Sequence, residues 1–491
     1  MAAVSPSDTP PGTLTFGKGR WIDGWNPEDT AQWEREGRPI AMRNLRSSIY
    51  AEFLGFVVWQ LWAIIVPLYL QAKPGGAPNI YGFAFDSNQA FWLISLPSLV
   101  GATLRFPYTF MVSKLGGRNW TMVSAALLLI PTVAMSVAIS NHPTIDAAGN
   151  ATGGTPFAVM LLIAAFGGFG GGNFASSMAN ITFFFPQREK GWALGLNAAG
   201  GNIGAAVSQF VVPIVVSLTA FSVTGLGDKR IGNVPISGYL WIVFILAAIV
   251  FAFTKMNNLT SAKADTSAYA VAFKDPQLWL MSLLYIGTFG SFIGLGGVFP
   301  KLITDTFPAY STIAVGSATV ALSFLGPLVG SLARPYGGRL ADRVGGAYVT
   351  VAAFLVMAAG TAAVWLVLRT AHPNFWIFLG FFLIIFIATG VGNGSMYRMI
   401  PTVFAFRAGQ KDARTKSAGI SVVRKTSAAL GIVSAFGAYG GFAVPQLFNL
   451  SKNSYGDYIH VLWWFMAGYL VFLVITVVAY VIPYARQHTR V

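Results

Sequence analysis

The stretch LVGATLRFPY, Leu99–Tyr108, places Arg105 inside a long apolar segment. Further along the chain, LVGSLARPY, Leu328–Tyr336, nearly repeats it and places Arg334 in the same register. A charged residue inside a membrane-spanning segment is costly and usually faces the interior of a helix bundle. The repetition therefore predicts two equivalent buried cations in a chain built from two similar parts.

The composition is typical of a helical membrane protein. Of the 491 residues, 55% are hydrophobic and only 10% are charged, whereas about 25% are charged in a typical soluble domain. Apolar runs of about 20 residues, the length that crosses a bilayer, recur along most of the sequence. The net charge of +15 is explained by basic cytoplasmic loops, so we expect no nucleic-acid binding.

The residue types that carry most enzyme chemistry are scarce. The chain has no cysteine, which excludes disulfides and thiolate chemistry, and its four histidines fall in loops or near predicted helix ends. Carboxylate pairs and nucleophile motifs are also missing, so we expect neither an enzyme nor a metal or other cofactor. The first 46 residues are polar, and no cleaved signal peptide is expected.

Apolar runs separated by turn-rich or polar stretches predict an all-α polytopic membrane protein with twelve transmembrane helices. The predicted spans are 48–70, 89–112, 119–140, 156–185, 191–219, 237–254, 277–300, 312–336, 347–368, 375–400, 419–447 and 461–484.

Loop charge predicts the orientation of the spans. Basic residues collect after the even-numbered spans, whereas the opposite loops carry few; by the positive-inside rule both termini are then cytoplasmic. The residues concerned are Lys114, Arg118, Arg188, Lys190, Lys255, Lys263, Lys274, Arg339, Arg343, Arg407, Lys411, Arg414 and Lys416. The predicted segments are a cytoplasmic tail (1–47), a six-helix half (48–256), a cytoplasmic linker (257–275), a second six-helix half (276–485) and a short cytoplasmic tail (486–491).

Other motifs repeat between the two halves. A Gly-Gly pair follows each arginine at the same offset, GGGN in span 4 is echoed by GVGN in span 10, and FVVP in span 5 is echoed by FAVP in span 11. Two six-helix halves repeating in parallel is the plan of major facilitator transporters. The loop GGRLADRVGG, Gly337–Gly346, also resembles the loop signature of that superfamily.

The two arginines need anionic partners. A structural ion pair is one interpretation, but acidic residues are scarce in the spans. Glu52 is expected near the cytoplasmic face, and Asp275 and Asp342 fall at helix ends. This scarcity favours a transported anion as the partner of the arginines. A guanidinium group can donate two parallel hydrogen bonds to a planar oxyanion, which an ammonium group cannot do.

Polar and aromatic residues in the spans allow two interpretations. Buried amides need partners, so Asn197 and Asn202 of span 5 make either helix–helix hydrogen bonds or contacts to substrate. Tyr285 and Phe289 lie one turn apart on span 7, a pattern that more often reflects packing than ligand binding.

Six motifs spread over nearly the whole chain carry a family resemblance. They are WNPEDTAQWEREGRPIAMRNL, LRFPYTFMVSKLGGRNW, GNFASSMANITFFFP, KGWALGLNAAGGNIG, SLLYIGTFGSFIG and SAFGAYGGF. Together they resemble the nitrate/nitrite porter family of the major facilitator superfamily, in which two arginines from spans 2 and 8 hold the anion. The resemblance implies that Arg105 and Arg334 bind substrate here.

The same resemblance implies the remaining residues of the site. An asparagine of the span 5 signature, a tyrosine of span 7 and two sandwiching phenylalanines complete it in the family. The matching positions are Asn202, Tyr285, Phe174 and Phe289. We add Asn197 as a possible substrate contact on its pattern alone, and Glu52, which replaces an apolar residue of relatives, as a possible site of proton coupling.

We therefore expect a monomeric secondary transporter of nitrate and nitrite in the lipid of the inner cell membrane. Exchange of the two anions is the favoured mode, because an empty site would bury both arginines uncompensated. Proton symport through Glu52 is the alternative. A facilitator for another small anion or an organic acid, and a channel, remain further hypotheses.

Overall fold

The computed structural model describes residues 14–146, 151–218, 222–224, 230–263, 266–412 and 419–485. Three of the residues used to predict orientation or to exclude metal chemistry, Arg414, Lys416 and His488, lie outside these ranges. The predicted C-terminal tail, 486–491, also lies outside them.

Twelve membrane-length helices, named spans 1 to 12, form most of the described part of the chain. Eleven are long and apolar enough to cross a bilayer; the exception, span 8, carries Arg334 and the charges that follow it. The spans are Thr30–Leu70, Ser87–Leu115, Gly117–Ser140, Phe157–Phe184, Gln187–Ser217, Ile236–Lys255, Pro276–Thr306, Leu325–Val344, Gly346–Leu368, Phe375–Asp412, Gly419–Ala438 continued by Gly440–Tyr455, and Ile459–Ala485.

Span 8 begins later than the sequence predicts. Residues 312–324, placed in the helix by their apolar character, instead form the hairpin Ile313–Val315 and Ala318–Val320 followed by a 3-10 turn. β-branched side chains favour strands, and Gly316 supplies the positive φ, 62°, that a two-residue hairpin turn requires. The other strand pairs are Thr15–Phe16 with Trp21–Asp23, Trp21–Asp23 with Asn258–Leu259, Thr144–Ile145 with Ala151–Thr152, and Val223–Thr224 with Arg230–Ile231.

The repeated Gly-Gly pairs have the same structural role in the two halves. Gly116 ends span 2 with φ of 88°, and Gly345 ends span 8 with φ of 102°. Side chains other than hydrogen strongly disfavour these conformations. Each pair therefore turns the chain sharply from one span into the next, which confirms that spans 2 and 8 are equivalent.

Glycines let the arginine-bearing spans approach their neighbours. A Cβ at Gly101 of span 2 would lie 3.0 Å from the Gly171 Cα of span 4, and a Cβ at Gly390 of span 10 would overlap the Gly330 carbonyl of span 8. Backbones meet this closely only where small residues face each other. In the first half, the contact brings the Gly171 carbonyl within reach of Arg105.

The segment predicted as a cytoplasmic tail is largely folded against the first half. Span 1 extends back to Thr30, well before the predicted start at residue 48. Strand Trp21–Asp23 pairs in parallel with Asn258–Leu259, which follows span 6. The indole of Trp25 donates to the Phe183 carbonyl at 3.2 Å. The tail and the start of the linker are thus fixed to the same half.

The linker between the halves contains a short helix, Thr266–Phe273. Its Tyr269 ring lies 4.8 Å from the Phe110 ring of span 2, centroid to centroid, and the helix also packs on span 11. The linker therefore contacts both halves at the end of the bundle where the N-terminal tail lies, which we call the inner end.

Candidate functional site

Arg105 lies in span 2, fully buried, and backbone carbonyls hold it. Its Nε donates to the Gly171 carbonyl of span 4 at 3.1 Å, and its Nη1 donates to the Ser434 carbonyl of span 11 at 2.7 Å. Because spans 4 and 11 belong to different halves, this guanidinium joins the halves. Its Nη2 is buried and has no hydrogen-bond partner among the described residues.

Arg334 lies in span 8 and is only 4% exposed. Neither its Nη1 nor its Nη2 has a hydrogen-bond partner within the described ranges. The two arginines share one aromatic neighbour, since Cζ of Arg105 lies 4.5 Å and Cζ of Arg334 lies 5.9 Å from the centre of the Phe174 ring. Spans from opposite halves thus bring both predicted cations into one site.

Aromatic rings line the space beside the guanidiniums. The Phe174 and Phe289 rings, from spans 4 and 7, are inclined by only 27° with their centres 6.2 Å apart. The Tyr285 ring stacks on Phe289 at 5.4 Å. Arg105 Cζ also lies 5.2 Å from the centre of the Phe289 ring. The aromatic positions that the family resemblance implies are therefore adjacent in space.

Two further positions carry unpaired polar groups. The Tyr285 hydroxyl is fully buried close to the Arg334 guanidinium, without a hydrogen bond of good geometry among the residues described, and both arginines act on it electrostatically. Asn202 of span 5 is 1% exposed, and neither its amide nitrogen nor its amide oxygen is paired in that part of the chain. Buried polar groups are normally satisfied, and exceptions indicate either strain or a ligand site.

Asn197 differs from Asn202 because its amide nitrogen is already engaged. The nitrogen donates to Oε2 of Glu52 at 2.6 Å and to Oγ of Ser177 at 2.6 Å. These contacts join spans 1, 4 and 5 of the first half. Asn197 therefore makes helix–helix hydrogen bonds through its nitrogen, whereas its Oδ1 is buried without a partner among the described residues, and its contact with substrate stays a prediction.

The position expected for Glu52 is corrected by the structure. The sequence placed this carboxyl near the cytoplasmic face, away from the arginines, but it is fully buried. Both Arg334 and Arg105 interact with it electrostatically. The expectation failed because span 1 runs about five turns before its apolar portion, so the basic residues that flank that portion do not mark the membrane boundary.

Two aromatic residues at the site were not predicted. The Tyr397 ring of span 10 lies 5.0 Å from Cζ of Arg334, and the Trp59 ring of span 1 lies 5.5 Å from Cζ of Arg105. Tyr397 lies one helical turn after Asn393 of the repeated GVGN motif, a spacing that places both on one face. That spacing could have predicted Tyr397 as a residue of the site. Nothing in the sequence distinguished Trp59 from an aromatic residue that only packs between helices.

A polar network closes the outer end of the bundle, opposite the N-terminal tail. Lys301 of span 7 is fully buried, and its Nζ donates to Oδ2 of Asp305 at 2.9 Å and to Oε1 of Gln71 at 2.8 Å. The Gln71 amide nitrogen donates to Oδ1 of Asp305 at 2.9 Å. Gln71 follows span 1. One side chain of the first half therefore forms hydrogen bonds with both members of an ion pair in the second half.

A sequence profile described as Major Facilitator Superfamily matches residues 49–445. The chain belongs to the Major Facilitator Superfamily. This membership confirms the predicted fold of two six-helix halves, and it makes the protein a multi-pass membrane transporter rather than an enzyme.

Individual members of the superfamily resemble the chain along most of its length. It is 37% identical to "Nitrate/nitrite transporter NarU" of Escherichia coli K12, over 93% of this chain and 95% of that protein. It is 32% identical to "Probable nitrate/nitrite antiporter NarK2" of Thermus thermophilus, over 91% and 93% of the two chains. These relatives confirm the family resemblance found in the motifs.

A solved major facilitator structure has the same fold. The xylose transporter XylE of Escherichia coli, in a partially occluded inward-open conformation, matches with a TM-score of 0.61. The match covers 88% of this chain and 98% of that one, at 13% sequence identity. At this identity the similarity supports the fold alone.

Proposed function

We propose that the protein carries nitrate and nitrite across the membrane by alternating access, holding one anion between Arg105 and Arg334. The supporting observation is a pair of buried guanidiniums, one from each half, with three terminal nitrogens unpaired among the described residues. A bound oxyanion would accept hydrogen bonds from these nitrogens and offset part of the charge. A site shared by two halves suits rocking of one half against the other.

The shape of the site favours a small planar anion. Guanidinium groups bind oxyanions through paired donors in a plane. The Phe174 and Phe289 rings are inclined by only 27°, and Arg105 Cζ lies within 5.2 Å of both ring centres, so an anion held by these donors would face flat aromatic surfaces. Nitrate and nitrite are flat, whereas sulfate and phosphate are tetrahedral and more strongly hydrated. An organic acid would require a larger and less crowded pocket.

The names of the relatives support the same substrates, since they include nitrate/nitrite transporters and a nitrate/nitrite antiporter. We place the protein in the inner cell membrane with both termini cytoplasmic, because the basic loops follow the even-numbered spans. We also propose a monomer, since one chain supplies both arginines, and a division of the chain into two halves, 48–256 and 276–485, joined by the linker 257–275.

Exchange of nitrate against nitrite is the mode we propose when both anions are present. While the Glu52 carboxyl is protonated, a loaded site crosses more easily than one in which two arginines are buried without an anion. Symport of nitrate with a proton, the alternative mode, requires a titratable group beside the arginines.

Counterflow in proteoliposomes tests this proposal. Uptake of labelled nitrate should accelerate when the vesicles contain nitrite, because the returning carrier is then loaded. External nitrite should compete with nitrate, whereas sulfate at the same concentration should compete poorly. An uptake rate at equal pH that is the same with and without internal nitrite would contradict exchange. Strong inhibition by sulfate would contradict a site shaped for a planar anion.

A further inference from the structure

Glu52 is a buried carboxyl next to the proposed anion site but is not part of it. Oε2 accepts a hydrogen bond from Asn197, whereas Oε1 is buried and has no partner among the residues described. Gly201 leaves room for the carboxyl, because a Cβ at that position would overlap it. Spans 1 and 5 are thus shaped around a carboxyl that no lysine or arginine contacts in an ion pair within the described residues.

The charged and titratable groups that act on Glu52 are few. They are Arg334 of span 8, Arg105 of span 2 and, more weakly, the Tyr397 hydroxyl of span 10. From spans 4 and 5 it meets only the neutral Ser177 and Asn197. The charge state of this carboxyl is therefore tied to the two arginines and to whatever anion lies between them.

We propose that Glu52 gives the carrier a second activity, net transport of nitrate together with one proton. This inference rests on the proposed function. Without an anion, ionised Glu52 offsets one of the two arginines, and the site carries one net positive charge. When nitrate binds and Glu52 takes up a proton, the site again carries one net positive charge. Both forms can therefore cross the membrane at similar electrostatic cost, so the empty carrier can return.

The charge balance fixes the stoichiometry. One nitrate and one proton enter together from one side and leave together on the other. The carboxylate bears its negative charge only while the anion is absent. When Glu52 keeps its proton, return of the empty carrier would bury two uncompensated arginines, and only exchange remains.

A polar face of span 1 connects Glu52 toward the inner end of the bundle. Ser48 and Asn44 lie one and two turns before Glu52 on the same face of the helix. Ser48 Oγ lies 2.9 Å from Ser177 Oγ, which accepts from the Asn197 amide. Asn44 donates to the Asn257 amide oxygen at the start of the linker. A proton released on the inner side therefore has polar groups along its route.

The test compares Glu52→Gln with Glu52→Asp in proteoliposomes. Glutamine mimics the protonated carboxyl permanently, whereas aspartate keeps a titratable group. Net uptake is measured as nitrate entry into anion-free vesicles under an inward proton gradient, with a trapped pH dye reporting the proton. Exchange is measured at equal pH with nitrite inside.

The wild type should show net nitrate uptake with one proton per nitrate. Glu52→Gln should lose net uptake by about 100-fold, because the returning empty carrier would bury two arginines with no carboxylate to offset them. It should keep exchange, and Glu52→Asp should retain proton-driven uptake.

Three results would overturn the proposal. The first is a wild type that exchanges anions but shows no net uptake under any proton gradient. The second is a Glu52→Gln variant with unchanged proton-driven uptake. The third is loss of both activities in a Glu52→Gln variant that nitrate still stabilises against heat. Failure of the wild type in both assays would instead contradict the proposed nitrate transport itself.

Discussion

The two arginines of the site are held differently. Arg105 donates to two backbone carbonyls, Gly171 and Ser434, which fix the direction of its guanidinium. Arg334 lies over the Tyr397 ring with both terminal nitrogens unpaired among the described residues. We infer that Arg105 is positioned by the protein, whereas Arg334 completes its hydrogen bonds with the anion.

Asn202 is a buried amide with neither its nitrogen nor its oxygen hydrogen-bonded among the described residues. Asn202→Ala should raise the KM for nitrate about tenfold, because a hydrogen bond to a charged ligand contributes about 1.5–3 kcal/mol. Initial rates of uptake measured over a range of nitrate concentrations give the KM. Asn453→Ala, at an exposed position outside the site, is the matched control and should leave it unchanged. An unaltered KM in Asn202→Ala would remove this residue from the site.

The sequence predicted which side chains meet at the site better than it predicted their depth. Arg105 and Arg334 follow from the repeat, and the ring positions follow from family motifs. The proximity of Glu52 to the arginines was missed because its position was counted from basic residues on a helix that begins at Thr30. Distance along a span depends on where the membrane boundary falls, and that boundary cannot be read from the sequence of a helix that continues beyond its apolar portion.

Among the elements, the ends of spans 1 and 7 form the outer closure. Gln71 accepts from Lys301 and donates to Asp305, so one amide joins the halves through two hydrogen bonds. Lys301 and Asp305 also pair within span 7. Opening toward the outside must break the Gln71 contacts, but it can leave the ion pair intact.

Gln71→Leu should therefore favour the outward-open state. The chain has no cysteine, so Ser98→Cys, a buried position on span 2 that faces span 11, provides a single reporter. A membrane-impermeant maleimide added outside should label Ser98→Cys several times faster when Gln71→Leu is present.

A cysteine at the exposed position of Lys73 controls for reagent access and should react equally in both backgrounds. Equal labelling of Ser98→Cys with and without Gln71→Leu would show that the amide does not hold the outer end closed.

Span boundaries were predicted best where glycine ends a helix and worst where the chain stays apolar outside it. The Gly116 and Gly345 turns mark the ends of spans 2 and 8 in the sequence. The hairpin Ile313–Val315 and Ala318–Val320 was mistaken for the start of span 8, because periodicity alone does not separate a short apolar strand from a helix.

On the scale of the whole molecule, the site is closed to solvent. Arg105, Phe174 and Phe289 are fully buried, and polar or aromatic contacts join the halves on both sides of them. At the outer end these include the amide of Gln446 donating to Ser95 Oγ at 2.8 Å. In the part of the chain that the structure describes, this arrangement resembles the occluded stage of an alternating-access cycle.

The central claim is that both arginines hold one nitrate, and direct binding tests it most simply. Titration calorimetry on purified protein in nitrate-free buffer should find one nitrate per chain. Arg105→Lys and Arg334→Lys should each weaken binding by about 100-fold, because lysine keeps the charge but loses the paired donors. Arg369→Lys, at an exposed position on the outer end, should bind like the wild type. Wild-type affinity in either Arg105→Lys or Arg334→Lys would contradict the account.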